Sequence, residues 1–197
     1  MALIKSALEI ALARTENVAS DKEGLRQKEL SETGKRIASV YLNEHQDPQK
    51  LQKELDAVDK ADRKTVRTGA YEVLKANFTL PAYKDFADSL KILENGFAAM
   101  ADKAKEIGQI FQEISRFFQQ YVDDREQLLE ALRQQLTPMA RQKSQQMAAQ
   151  SGMKVELTPE ELPEFGRAYR DNLNRMNEQY QTALDEIKTE LDARIHL

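Results

Sequence analysis

Residues 82–136 read AYKDFADSLKILENGFAAMADKAKEIGQIFQEISRFFQQYVDDREQLLEALRQQL. Within them Phe86, Leu93, Met100, Ile107, Ile114, Tyr121 and Leu128 recur every seven residues. Leu90, Phe97, Ala104, Phe111, Phe118 and Leu132 fill the alternate steps of four and three. Apolar groups at both inner positions of a heptad put one continuous stripe on one side of a helix. The spacing predicts a single helix from about Ala82 to Leu136, on the order of 50 residues and roughly 75–80 Å long. Only Arg125 breaks the stripe. It is expected either to pair with a carboxylate of a neighbouring helix or to mark where the seam opens, since a buried guanidinium needs a partner.

The flanking positions widen the stripe. Ile110 and Phe117 lie on one side of it and Ala101, Gly108, Val122 and Leu129 on the other. A two-stranded coiled coil places charges there, so this helix is expected to pack on at least two neighbours. The surface read as open to a partner comprises Ile107, Ile110, Phe111, Ile114, Phe117, Phe118, Tyr121, Val122 and Leu129.

Downstream, Thr137-Pro138 reads as the end of that helix and the start of another reaching Gln150, with Ser151-Gly152 as a stop. Met153–Leu157 reads as a short extended link. Thr158-Pro159-Glu160-Glu161 has the chemistry of a capping box. A last helix follows from Pro163. Its apolar residues recur every eleven positions: Phe165, Met176 and Ile187; Tyr169, Tyr180 and Leu191; Leu173, Leu184 and Ile195. That period gives a straight or slightly right-handed stripe, and this helix of about 33 residues, roughly 50 Å long, is expected to lie antiparallel along the long one.

Upstream, residues 2–18 read as an amphipathic helix, with a break near Ala19-Ser20. A second helix is expected over about Asp21–Glu44, weakened by Gly24 and Gly34. Asn43–Gln46 reads as its end. Asp47-Pro48 starts a third helix as N-cap and first-turn proline, a kink or restart falls at Asp59 or Asp62, and Thr79-Leu80-Pro81 is a break. The fold class is therefore all-α: an N-terminal region of about four short helices over 1–80, and an elongated antiparallel hairpin or three-helix arm over 81–197. No internal repeat is evident.

Composition narrows the chemistry. There is no Cys, which excludes disulfides, thiolate metal sites and thiol catalysis. The net charge of -4 gives no electrostatic case for nucleic acid. No stretch approaches the ~20 apolar residues of a membrane span, and the N-terminus lacks the basic flank of a signal peptide, so a cytoplasmic location is expected. His45 and His196 are the two histidines, and neither sits at ligand spacing. Asp123-Asp124-Arg125-Glu126 reads as a solvated face, because adjacent helix residues diverge. Lys60, Arg63, Lys64 and Arg67 share one face and form a candidate weak anion patch, diluted by Asp59 and Asp62. No phosphate loop or nucleophile elbow is present.

These readings point to a non-enzymatic structural or interaction protein, a scaffold, stalk or assembly subunit, with a protein partner or self-association and with no cofactor, metal or small-molecule substrate. The alternative is a peripheral membrane protein using the amphipathic N-terminal helix. A third reading is a ligand-binding or catalytic bundle whose site draws carboxylates and tyrosines from separate helices.

Overall fold

The structure, a computed structural model, describes the backbone of residues 7–101, 103–154 and 156–195, and side chains from residue 22 onward. Among these the regular structure is helical: α1 (Ala7–Val40), α2 (Pro48–Asp56), α3 (Arg63–Asn77), α4 (Ala87–Met100), α5 (Ala104–Ser151) and α6 (Pro163–Arg194). A π-helical turn (Tyr41–His45) follows α1, and a 3₁₀ turn (Pro159–Glu161) precedes α6. The fold is all-α, and a long helix pairs with the C-terminal one.

The bounds of that long helix differ from those the heptads predict. The chain breaks between Met100 and Ala104 and turns back on itself. The rings of Phe86 and Phe118 meet edge to face with centroids 5.7 Å apart, and Lys84 Nζ is 2.5 Å from Glu126. On an unbroken helix those pairs would lie about 48 and about 63 Å apart. The heptad register runs through the reversal without a mark, because Ala101-Asp102-Lys103 contains neither Gly nor Pro. A continuous helix would leave its wide stripe to be covered by other elements, whereas folding back lets the stripe cover itself. The new helix start is charge-matched: Lys103 Nζ pairs with Glu106 at 2.9 Å, and Glu106 sits in the first turn of α5, where a carboxylate suits the helix dipole.

At the other end, α5 does not stop at Thr137-Pro138. It runs through Pro138 to Ser151. The proline forfeits one backbone bond, but Leu136 and Ala140, on either side of it, are both buried in one cluster with Leu162 and Phe165. That packing holds the helix across the gap. The stop comes at Gly152, whose φ of 69° makes the left-handed cap. Likewise α1 shows no break at Ala19-Ser20. The side chains of the first 21 residues, and with them the membrane-facing alternative, lie outside the described residues.

Contacts divide the chain into two compact units. One takes in the described residues up to Phe78, Lys91–Gly108 and the C-terminal residues from Arg194; the other holds Thr79–Leu90 and Gln109–Ala193.

In the first unit α1 and α3 cross at two glycines. A Cβ on Gly34 would collide with the Val66 carbonyl, and one on Gly69 with the Ser31 carbonyl. Gly34 is thus a packing position and not merely a weak point of α1. Gly96 of α4 makes a third close approach, where a Cβ would fall 2.9 Å from the Tyr41 ring and 3.1 Å from Leu74. Around these points Tyr41, Leu51, Leu55, Val66, Leu74, Phe78 and Phe97 are fully buried, each worth on the order of 2 kcal/mol of transfer free energy. Tyr41 donates its hydroxyl to the Ile92 carbonyl at 2.6 Å. Asp47 caps α2 by accepting from the backbone N–H groups of Gln49 and Lys50 at 2.9 and 3.3 Å.

In the second unit α5 and α6 run antiparallel. Every member of the eleven-residue series from Phe165 to Leu191 is buried or half-buried, so that period marks the inward face. A capping box joins Thr158 and Glu161 before α6, and Leu157 N–H donates to Ser144 Oγ at 2.8 Å, returning the link onto α5.

Candidate functional site

The structure folds most of the expected partner surface into the chain. Ile107, Ile110, Phe111, Ile114, Phe118, Tyr121 and Val122 are buried, while Phe117 and Leu129 are half-buried. Tyr180 of α6 accounts for part of this, with its ring 5.2 Å from Phe117 and 5.0 Å from Tyr121.

The basic patch is dispersed as well. Arg63 turns back to the end of α2, donating Nε to the Val58 carbonyl at 3.0 Å and Nη2 to the Asp56 carbonyl at 2.5 Å. A guanidinium there satisfies terminal carbonyls and the helix dipole together. Arg67 reaches the Asp56 carboxylate at 3.5 Å. Lys60 and Lys64 remain exposed, so the four do not converge on one point. His45 accepts the Asp47 N–H at Nδ1, 3.0 Å away, an arrangement that serves the turn. Among the described residues no group of three or more acidic or histidine side chains gathers as a cation site, and no helix is long and apolar enough to cross a membrane.

What the fold does assemble is a polar seam between α5, α6 and the irregular segment at residues 79–84. Tyr121 donates to Asn177 Oδ1 at 2.9 Å, and Tyr180 donates to Asp124 Oδ2 at 2.5 Å. Burial, and then the Asp124 carboxylate, hold the Tyr180 phenol well above its ordinary range. Asp124, expected on a solvated face, is therefore a clasp across helices.

Arg125 sits at the centre. Its guanidinium lies over the Tyr121 ring, 5.6 Å from the centroid, and its Nη1 donates to the carbonyls of Ala82 at 2.8 Å and Pro81 at 3.4 Å. Neighbouring carboxylates are taken: Asp124 by Tyr180 and Glu126 by Lys84. Among the described residues Arg125 has no ion pair, its Nε is buried without an acceptor, and its Nη2 has no hydrogen-bond partner. Of the two expectations for this seam position, the carboxylate partner is not found among the described residues: the cation is met by carbonyl dipoles and a ring face. Arg125 lines a groove of about 210 Å³ together with Ala82, Tyr83, Lys84, Val122, Glu126 and Leu129. A wider cleft of about 700 Å³ is lined by residues 79–82 together with Tyr121, Asn177, Glu178 and Asp185.

Sequence reasoning singled out Arg125 from its place in the stripe but missed Tyr83, Lys84 and Asn177, because the chain reversal that brings residues 81–84 beside Arg125 carries no local signal.

Residues 52–193 match the model of a family of unknown function, DUF6657. No curated protein and no solved structure matches the chain.

Proposed function

The chain belongs to the DUF6657 family of unknown function, and from that premise we propose that it is a protein-interaction subunit whose α5–α6 hairpin docks on a partner. The observation that carries this reading is the thin cover of the far part of that hairpin. There the buried cluster is Leu132, Leu136, Ala140, Leu162 and Phe165, drawn from α5, α6 and the residue before α6 alone. Met139, Met147 and Met153 stand exposed around it, at 38%, 46% and 69%. Flexible thioethers on a surface adapt to a protein partner. Met147 lies on the same side of α5 as Leu136 and Ala140, so it extends the inward stripe beyond the reach of α6.

Charge supports the same reading. From Ala131 to Val155 there are four basic residues and no acidic one, in a chain whose net charge is -4. Arg133 and Lys143 are paired to Glu160 and Glu164; Arg141 and Lys154 make no ion pair among the described residues. A partner with an acidic, partly apolar face complements this surface. The buried residues of α5 become the scaffold for the contact, and the contact moves from the expected Ile107–Leu129 stretch to the hairpin beyond it.

Photo-crosslinking groups placed singly at Met147, Met153 and, as control, Glu29 test this in cells that make the protein. The reading expects one adduct of defined mass from the first two positions and none from the control. No adduct, or equal labelling at all three, contradicts it.

A further inference from the structure

We infer that the groove around Arg125 recognises a carboxylate borne beside an apolar side chain on a partner protein, an inference that rests on the interaction reading above. A half-buried guanidinium without an ion pair is costly to hold, and the carboxylates that flank Arg125 in the chain, Asp124 and Glu126, point to Tyr180 and Lys84 instead. The protein fixes one end of the guanidinium, through Nη1 on the carbonyls of Pro81 and Ala82, and the plane, through the Tyr121 ring. That leaves Nε buried without an acceptor, and no hydrogen bond from Nη2 among the described residues. A guanidinium held in this way is preorganised for an anion, since the side-chain entropy has already been given up.

The surroundings select the class of anion. Val122 and Leu129 supply an apolar wall, and Tyr83 stands at the rim with 78% of its surface exposed. Lys84 adds a second cation, yet Glu126 at 2.5 Å neutralises it. One uncompensated charge beside an apolar wall and an aromatic rim suits a singly charged carboxylate with an apolar neighbour. A doubly charged phosphate would find only one uncompensated cation for its two charges. The groove volume of about 210 Å³ admits a side chain or two and no larger body. Val122 and Leu129, both read from the sequence as partner-facing, meet the arginine here, which joins two separate sequence expectations in one place.

The test is titration of the full chain, followed by amide and methyl NMR, with four probes: acetyl-Leu-Glu-Leu-amide, its Gln analogue, hexanoate and inorganic phosphate. The Glu peptide is expected to saturate, with shifts confined to residues 82–84, 122–126 and 129, and to bind at least about tenfold more tightly than the Gln analogue, the scale of one charge-assisted hydrogen bond. Arg125→Lys keeps the charge but loses the planar fork, and is expected to weaken the Glu peptide about tenfold. Tyr83→Ala, at an exposed position that the fold does not need, is expected to weaken it about threefold. Equal binding of the Glu and Gln peptides, phosphate binding as tight as the Glu peptide, or no saturable shift overturns the inference. Hexanoate binding as tight as the peptide assigns the groove to free carboxylates and overturns the protein partner as its source. The two proposals fail separately. If crosslinking at Met147 persists in Arg125→Lys and the peptide does not bind, the groove is wrong and the docking hairpin stands; if the peptide binds and no crosslink forms, the reverse holds.

Discussion

At the α1–α3 crossing, Gly34 and Gly69 bring two backbones into contact; along α5 and α6, tyrosines and phenylalanines hold two backbones apart. The first arrangement encloses a core in which Tyr41, Leu74 and Phe97 are fully buried. The second leaves Tyr169, Leu173, Met176, Tyr180 and Ile187 of α6 half-buried and ties the two helices with Tyr121–Asn177 and Tyr180–Asp124. Both pairs are built from helices with one apolar face. The difference lies in whether the crossing residues have a Cβ: without one, helices approach closely and exclude water; with aromatic groups, the seam takes polar tips.

Substitutions should separate the two regions by size of effect. The largest is expected from Gly34→Leu, which drives a side chain into the Val66 carbonyl; a loss above about 4 kcal/mol, measured by chemical denaturation, places it among backbone-disrupting changes. If Gly34→Leu is tolerated, the close crossing is wrong. Next, Phe165→Ala is expected to cost about 3 kcal/mol, the low end for a large aromatic, because its small cluster can partly collapse. Tyr180→Phe removes one hydroxyl to a carboxylate at a half-buried site and is expected to cost about 1 kcal/mol. Arg133→Ala breaks an exposed pair with Glu160 and is expected to leave the unfolding midpoint unchanged, as is usual for surface ion pairs.

Alkaline pH sharpens the same contrast. Burial, and then Asp47, push the Tyr41 phenol from 10 up to about 12. The folded state therefore keeps a proton that the unfolded state releases. Stability from this group is full below pH 10 and is lost as pH rises toward about 12. Denaturation midpoints across that range are expected to fall, and to fall less in Tyr41→Phe; identical slopes in the two proteins would place Tyr41 in a wetter site than the one described.

Much of this fold is written in local chemistry. Asp47-Pro48, the Thr158–Glu161 box and Gly152 each mark a helix end because the side chain or the backbone freedom acts where it stands. The eleven-residue series of α6 gives its buried face directly. Three features are not local. The reversal between Met100 and Ala104 carries no breaker, since the gain comes from two distant halves of one stripe covering each other. Pro138 reads as a stop, yet Leu136, Ala140, Leu162 and Phe165 carry the helix past it. Gly34 looks like a defect in α1 until Val66 is placed against it. The candidate site was half legible for the same reason: Arg125 stands out as a charge in an apolar stripe, while its partners at Pro81, Ala82 and Tyr83 arrive only through the reversal.

That reversal is also what builds the Arg125 groove, so it is the point to test first. The chain has no native cysteine, and spin labels at Lys84→Cys and Glu126→Cys report a single distance by pulsed electron resonance. A chain that folds back between Met100 and Ala104 gives a narrow distribution below about 25 Å, allowing for the label arms on a contact pair; one continuous helix gives about 60 Å, and that result would contradict both the fold and the groove.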